Sequence, residues 1–172
     1  HPGANLGQGA DGNIYGTTLQ GGDLGDGTIF KMNPDGNTTR LYSFGAYDEH
    51  GGANTNGWEP VRLLEGKDGN FYGITADYEF SGGGTIFRIT PAGKLTTLLI
   101  FSGRNSIRPS GTLLAGADGN FYGTLTSGFL FKLVPNGKLT TVFFHDGTNG
   151  TLAASGLIED KNGRFFGLTI RA

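Results

Sequence analysis

Cysteine is absent from the chain, which excludes a disulfide framework, a Cys-ligated zinc site, an iron–sulfur cluster and c-type haem attachment. Long apolar runs are missing as well. The longest purely aliphatic or aromatic stretch, Leu98 to Phe101, is four residues, so no helix is expected to cross a bilayer. The opening His-Pro-Gly-Ala-Asn carries no charged region followed by an apolar one, the pattern of a signal peptide. Nor does either charge sign dominate. Thirteen Lys and Arg stand against 15 Asp and Glu, a net charge of -2, so there is no basic footprint for a phosphate backbone and nucleic acid is not an expected partner.

Glycine, by contrast, is abundant, with 33 of the 172 residues. Such a content rules out a helical bundle. The 33 Gly and 6 Pro together come near the level of low-complexity chains, yet 13 Phe, 6 Tyr and 1 Trp are too many for a chain that never buries a core. A folded, turn-rich domain is the consequence.

The sequence repeats itself. Asp11-Gly-Asn-Ile-Tyr-Gly16 recurs as Asp68-Gly-Asn-Phe-Tyr-Gly73, as Asp118-Gly-Asn-Phe-Tyr-Gly123 and more loosely as Asn162-Gly-Arg-Phe-Phe-Gly167. Gly27-Thr-Ile-Phe-Lys31, Gly84-Thr-Ile-Phe-Arg88 and Gly128-Phe-Leu-Phe-Lys132 follow the first three, then a Pro-x-Gly turn at Pro34, Pro91 and Pro135, then a Thr-rich apolar run such as Leu95 to Phe101. The units run approximately 1–58, 59–107, 108–152 and, in part, 153–172, within one repeat domain. Each full unit reads as four short strands, A to D, with Asp-Gly turns of type I′ between A and B and Pro-x-Gly turns between C and D. In the second unit the pattern predicts A over Val61–Gly66, B over Asn70–Thr75, C over Gly84–Thr90 and D over Lys94–Phe101. In the fourth it predicts A over Gly156–Asp160 and B over Arg164–Ile170, after which the chain stops. Strands apolar on both sides need cover on both faces. Four-stranded antiparallel sheets repeated at this period describe the blades of an all-β propeller, here about three and a half of them. Three and a half blades do not close a ring, so the chain is expected either to belong to a longer protein or to form a homo-oligomer.

Spacing separates the two rims. The Asp-Gly and Pro-x-Gly turns stand equally far apart in units one and two, from Asp11 to Pro34 and from Asp68 to Pro91, but closer in unit three, from Asp118 to Pro135. The step from each proline to the next unit's turn is longest from Pro34 to Asp68 and shorter from Pro91 to Asp118. All variation therefore falls in the B–C and D–A connections, which emerge at one edge of an up-and-down sheet. One rim is standardised and the other customised, and function usually sits on the loops that vary above a rigid scaffold.

The quoted pattern, over nearly the whole chain, resembles the bacterial GloVer tandem repeats of choice-of-anchor proteins. That resemblance implies an exported or surface-attached protein and brings no catalytic residues with it. A weaker similarity runs to the propeller of streptogramin lyases, whose units share the Asp-Gly-Asn and Pro-x-Gly turns; their catalytic positions find no match here.

Candidate chemistry gathers on the customised rim, which carries Asp23, Asp26, the loop Gly45 to Trp58, the loop Asp77 to Phe80, Arg104, Arg108 and His145. Trp58, Tyr47 and Tyr78, with Asp48, Glu49, Arg104 and Arg108, form a set suited to sugar rings, which offer apolar faces and many hydroxyls; Trp58 reads equally as a packing plug between blades. His1, His50 and His145 form a candidate metal or acid–base set with Asp48 and Glu49, with copper in view if His1 is the mature terminus. Calcium at Asp11, Asp68 and Asp118 is the lesser reading, because turn chemistry already explains those residues. Gly82-Gly-Gly-Thr opens a strand and lacks the Lys-Ser/Thr of a phosphate loop. Three functions stay open: a non-catalytic module binding a polysaccharide or a protein at the rim, a polysaccharide-active hydrolase, lyase or copper oxidase on the same rim, and a self-assembling structural subunit.

Overall fold

A computed structural model describes residues 6–45, 56–75, 83–101, 109–125, 129–144, 151–153, 157–167 and 169–171. The described residues contain strands and turns and no helix. Strands β1 (Gly7–Gln8), β2 (Ile14–Thr18), β3 (Thr28–Met32) and β4 (Thr38–Ser43) make one antiparallel meander. A second is built from β5 (Pro60–Glu65), β6 (Phe71–Thr75), β7 (Gly84–Ile89) and β8 (Leu95–Phe101), and a third from β9 (Pro109–Ala115), β10 (Phe121–Leu125), β11 (Phe129–Leu133) and β12 (Leu139–Phe144). These are propeller blades, each strand hydrogen-bonded to its sequence neighbours. A half blade follows.

Its two strands differ from the expected pair. Strand A is divided into β13 (Thr151–Ala153) and β14 (Ile158–Glu159), and strand B into β15 (Phe165–Phe166) and β16 (Thr169–Arg171). β14 pairs β15 and β13 pairs β16. The cause is a register change: Ile158 faces Phe166 but Ala153 faces Thr169, which places two extra residues on strand A. Blade three does the same, with Leu114 opposite Tyr122 but Ser110 opposite Thr124. A bulge in strand A is thus a property of the repeat.

Alternation along each strand serves two interfaces. On one side Phe71, Phe87, Ile89 and Leu63 pack with Tyr15, Ile29 and Phe44 of blade one. On the other, Tyr72, Ile74 and Ile86 pack with Leu113, Phe121, Leu125, Phe131 and Leu133 of blade three. The core therefore lies between sheets. Ring pairs repeat across each joint: Tyr15 on Phe71 at 3.9 Å, Tyr72 on Phe121 at 4.1 Å and Tyr122 on Phe165 at 4.2 Å between centroids. Each aromatic contact of this kind adds roughly 0.5–1.5 kcal/mol beyond the area it buries.

The motif glycines hold that arrangement open. Gly73 lies opposite Phe87, and a Cβ on it would come within 2.5 Å of the Phe87 ring; Gly123 meets Phe131 at the same distance and Gly16 meets Phe30 at 2.6 Å. In each full blade the strand C phenylalanine brings the tip of its ring over the glycine of strand B.

One rim is uniform to the residue. The A–B connections 9–13, 66–70, 116–120 and 160–164 and the C–D connections 33–37, 90–94 and 134–138 are all five residues long. The A–B turns are not type I′, which needs positive φ at both central residues. Gly12 N–H donates to Gly9 O at 2.9 Å, Gly9 N–H to Asn13 O at 2.8 Å, and positive φ falls on Gly12 (80°) but not on Ala10 or Asp11. This is a three-residue loop ending in a left-handed glycine, and Gly69, Gly119 and Gly163 repeat it.

Candidate functional site

The opposite rim is formed by the B–C connections 19–27, 76–83 and 126–128 and the D–A connections 44–59, 102–108 and 145–150. The shortest of these is 126–128 and the longest 44–59. A meander puts both kinds of connection at one end of the sheet. His1, Tyr47, Asp48, Glu49, His50, Tyr78, Arg104, Arg108 and His145 lie outside the described residues. Trp58, Asp23 and Asp26 lie within them.

Trp58 is half-buried at the junction of blades one and two, in the segment that leads into β5. It is therefore neither a sealed plug nor a free surface ring. Its flanks are unusual, since Gly57 has φ 77° and Glu59 φ 53°, the one positive φ outside glycine among the described residues. A left-handed backbone at Glu59 stores on the order of 1 kcal/mol of strain and persists only where neighbours fix it. Several do. Glu59 N–H donates to Asp26 O at 2.9 Å, which ties the blade-one B–C loop to the start of blade two. Asn56 Nδ2 donates to Tyr42 Oη at 2.7 Å, Asn56 Oδ1 accepts from Thr97 Oγ1 at 2.7 Å, and Asn56 O accepts from Thr85 Oγ1 at 3.0 Å. Gly57 leaves no room for a side chain, because a Cβ there would lie 2.9 Å from Thr75 Cβ.

The sequence reading missed Asn56, Tyr42, Thr85 and Thr97. A signal existed for one of them: Thr85 belongs to the Gly-Thr-Ile-Phe block, and its hydroxyl shares a 2.8 Å hydrogen bond with Thr75 Oγ1, as Thr28 does with Thr18. Blade three places Leu125 and Phe129 at the corresponding positions. In blade one the B–C loop folds back on itself, with Gly21 N–H donating to Gly25 O and Gly27 N–H to Gly21 O, both at 3.0 Å. Asp23 pairs with Arg40 at 2.9 Å, an exposed contact worth little in water. Leu24 projects from the loop, 53% exposed.

The standardised rim has its own chemistry, and it is structural. In each full blade the turn aspartate gathers at least three donors. Asp68 Oδ1 accepts Asn70 N–H at 3.2 Å, and Oδ2 accepts Asn70 Nδ2 at 2.8 Å and Tyr72 Oη at 2.7 Å; Asp11 and Asp118 repeat the set with Asn13 and Tyr15, and Asn120 and Tyr122. Burial and the adjoining carboxylate push Tyr15 and Tyr72 up to about 12. Burial opposes ionisation of Asp118, but Lys132 at 2.9 Å and the Asn120 and Tyr122 donors outweigh it and hold the carboxyl well below the usual carboxylate range. Both carboxylate oxygens are engaged by hydrogen-bond donors, which is the work of a turn and not of a calcium loop. Among the described residues no group of three or more His, Cys, Asp or Glu is placed to hold a metal ion.

A family model, the Gloeobacter/Verrucomicrobia repeat, matches residues 1–172. No curated protein matches the chain. Solved structures similar to it include a streptogramin B lyase (17% identity, TM-score 0.59, covering 99% of this chain and 55% of the other). A catalytically inactive virginiamycin B lyase from Staphylococcus aureus with quinupristin is similar at 16% identity and TM-score 0.61, over 98% of this chain and 55% of that one. A gluconolactonase from Xanthomonas campestris follows at 15% and 0.58, over 98% and 54%. At these identities the likeness is one of fold, and the chain spans about half the length of each.

Proposed function

Because the chain belongs to the Gloeobacter/Verrucomicrobia repeat family along its whole length, we propose that it is an extracellular or cell-surface propeller module that binds a polysaccharide, without catalysis, through the rim of B–C and D–A connections. The observation that carries this reading is the contrast between the rims. Seven turns of equal length on one side face connections as different as 126–128 and 44–59 on the other, so the blades form a fixed platform beneath loops of individual length. Trp58 supports a sugar ligand in particular. It offers a partly exposed aromatic face on a segment that Asn56 and Glu59 hold in place before any ligand arrives, which lowers the ordering cost of binding.

A broad glycan array, run on the parent chain and on Trp58→Ala, tests the proposal. The expected result is saturable binding to at least one polysaccharide class that weakens tenfold or more in the variant while the thermal midpoint stays put. Silence across the panel, or binding indifferent to Trp58, overturns it.

A further inference from the structure

We infer that Glu59 is the polar contact of the rim site, its carboxylate accepting hydroxyl groups of an uncharged hexose polymer whose ring face rests on Trp58. This rests on the binding reading above and adds the class of the ligand to it. The first observation is a side chain where the described chain otherwise has none. Twelve other described positions have positive φ and all twelve are glycine, whereas position 59, at φ 53°, is glutamate. Glycine meets no steric penalty in that region. The conformation is disfavoured a second time, because the ring of Pro60 biases the residue ahead of it to extended backbone. Glycine would sit at 59 with less strain, so what the position retains is the side chain. Strain of this kind persists where the surroundings over-determine it, and it gathers at functional sites.

The second observation is that the fold uses the backbone of Glu59 and leaves its carboxylate unused. Glu59 N–H donates to Asp26 O at 2.9 Å, and Pro60 is buried against blade one, where a Cβ on Gly27 would stand 2.7 Å from Pro60 Cδ. The two other described glutamates do structural work. Glu65 Oε2 accepts Ala10 N–H at 2.9 Å and Glu159 Oε2 accepts Ala117 N–H at 2.8 Å, each across a joint between blades. Glu59 is half-buried, and among the described residues no hydrogen bond or ion pair reaches its carboxylate. Its oxygens are therefore available to the donors of a ligand.

The third observation is the neighbour. Trp58 immediately precedes Glu59 and is half-buried too, and Asn56 fixes the same segment from its other side through Tyr42, Thr85 and Thr97. An aromatic ring and a carboxylate on consecutive, immobilised residues match the two sides of a pyranose. The apolar C–H face packs on the indole, and neighbouring hydroxyls donate to the two carboxylate oxygens, which only accept when ionised. The same negative charge acts against uronic-acid and sulfated polymers, because like charges brought together at a binding site are unfavourable. The pair thus selects a neutral hexose chain.

The probes are soluble glucan, mannan and galactan, with polygalacturonate and chitosan as charged comparisons, titrated by calorimetry against the parent chain, Glu59→Gln, Glu59→Gly and Trp58→Ala. The parent is expected to bind a neutral polymer with an affinity nearly indifferent to salt. Glu59→Gly should bind it at least tenfold more weakly and Glu59→Gln at least threefold, the amide keeping one acceptor oxygen. Glu59→Gly should also melt at or above the parent's thermal midpoint, since glycine relieves the left-handed strain. A fall of about 3 °C or more marks a structural glutamate and overturns the inference. Binding that needs Trp58 but is unchanged in both Glu59 variants overturns it as well, and leaves the rim reading standing. Preference for polygalacturonate, or salt-sensitive preference for chitosan, overturns the neutral class. Binding to none of the three neutral polymers overturns the inference, while the rim reading is then decided by the glycan array.

Discussion

The Asp–Asn–Tyr cluster of each turn makes a quantitative prediction, because the half blade carries Asn162 and Phe166 where the others carry Asp and Tyr. Tyr72→Phe removes a 2.7 Å hydrogen bond from a phenol to an ionised carboxylate and leaves the ring stacked on Phe121. Hydrogen bonds to charged groups are worth roughly 1.5–3 kcal/mol, and the exposure of Asp68 on its turn places this one near 1.5 kcal/mol. Asp68→Asn costs a similar amount, about 1.5 kcal/mol, since an amide has one acceptor oxygen in place of two and turns its NH2 towards a donor at the other position. Once either partner is gone the other has less to lose. The double variant is therefore expected to cost about 2 kcal/mol instead of 3, a coupling of about 1 kcal/mol in a double-mutant cycle. Urea unfolding of the four proteins measures it, and ultraviolet titration of the phenol adds an independent reading. Tyr72, pushed up to about 12 by burial and by Asp68, should ionise at lower pH in Asp68→Asn. Additive costs, or a Tyr72→Phe variant as stable as the parent, would refute the view that the motif is a cooperative turn lock.

The remaining predictions follow from the same geometry. Gly123→Ala should destabilise by about 2 kcal/mol or more, because the Phe131 ring must leave its seat, and chemical denaturation checks it. The carboxyls of Asp11, Asp68, Asp118 and Asp160 are all held below the ordinary 3.8, so their contribution is present above about pH 4 and is lost as pH falls through the lower folded values; thermal melts in acid should show it. Tyrosine acts in the opposite sense. With Tyr15 and Tyr72 raised from 10.0 to about 12, stability should hold up to pH 10 and decline between 10 and 12. Asn56→Ala should weaken rim binding, leaving the far blades' amide protection unchanged by hydrogen exchange, because Tyr42, Thr85 and Thr97, which it bonds, lie at one joint.

Much of the scaffold was legible because the repeat samples one pattern several times. Strands drawn over Val61–Gly66, Asn70–Thr75, Gly84–Thr90 and Lys94–Phe101 lie at Pro60–Glu65, Phe71–Thr75, Gly84–Ile89 and Leu95–Phe101. Apolar residues on both faces signalled two-sided burial, and Tyr72 and Phe71 face different neighbouring blades. Turn type was not legible, since Asp-Gly satisfies a type I′ turn and a three-residue loop alike, and the choice depends on the carboxylate reaching Asn13 and Tyr15. The divided hairpin of the half blade was hidden too, because a bulge changes pairing without changing composition. On the rim, Trp58 was found by residue type, whereas Asn56 drew no notice; its value lies in touching Tyr42, Thr85 and Thr97, which are remote in sequence.

Among the described residues the Tyr-on-Phe pairs join blade one to blade two, blade two to blade three and blade three to the half blade, so each sheet is coupled to the next through one ring contact. In such a row a disturbance is handed from leaflet to leaflet through nearest neighbours. Phe71 and Phe121, which clamp blade two to either side, mark the two planes along which the assembly would come apart under load.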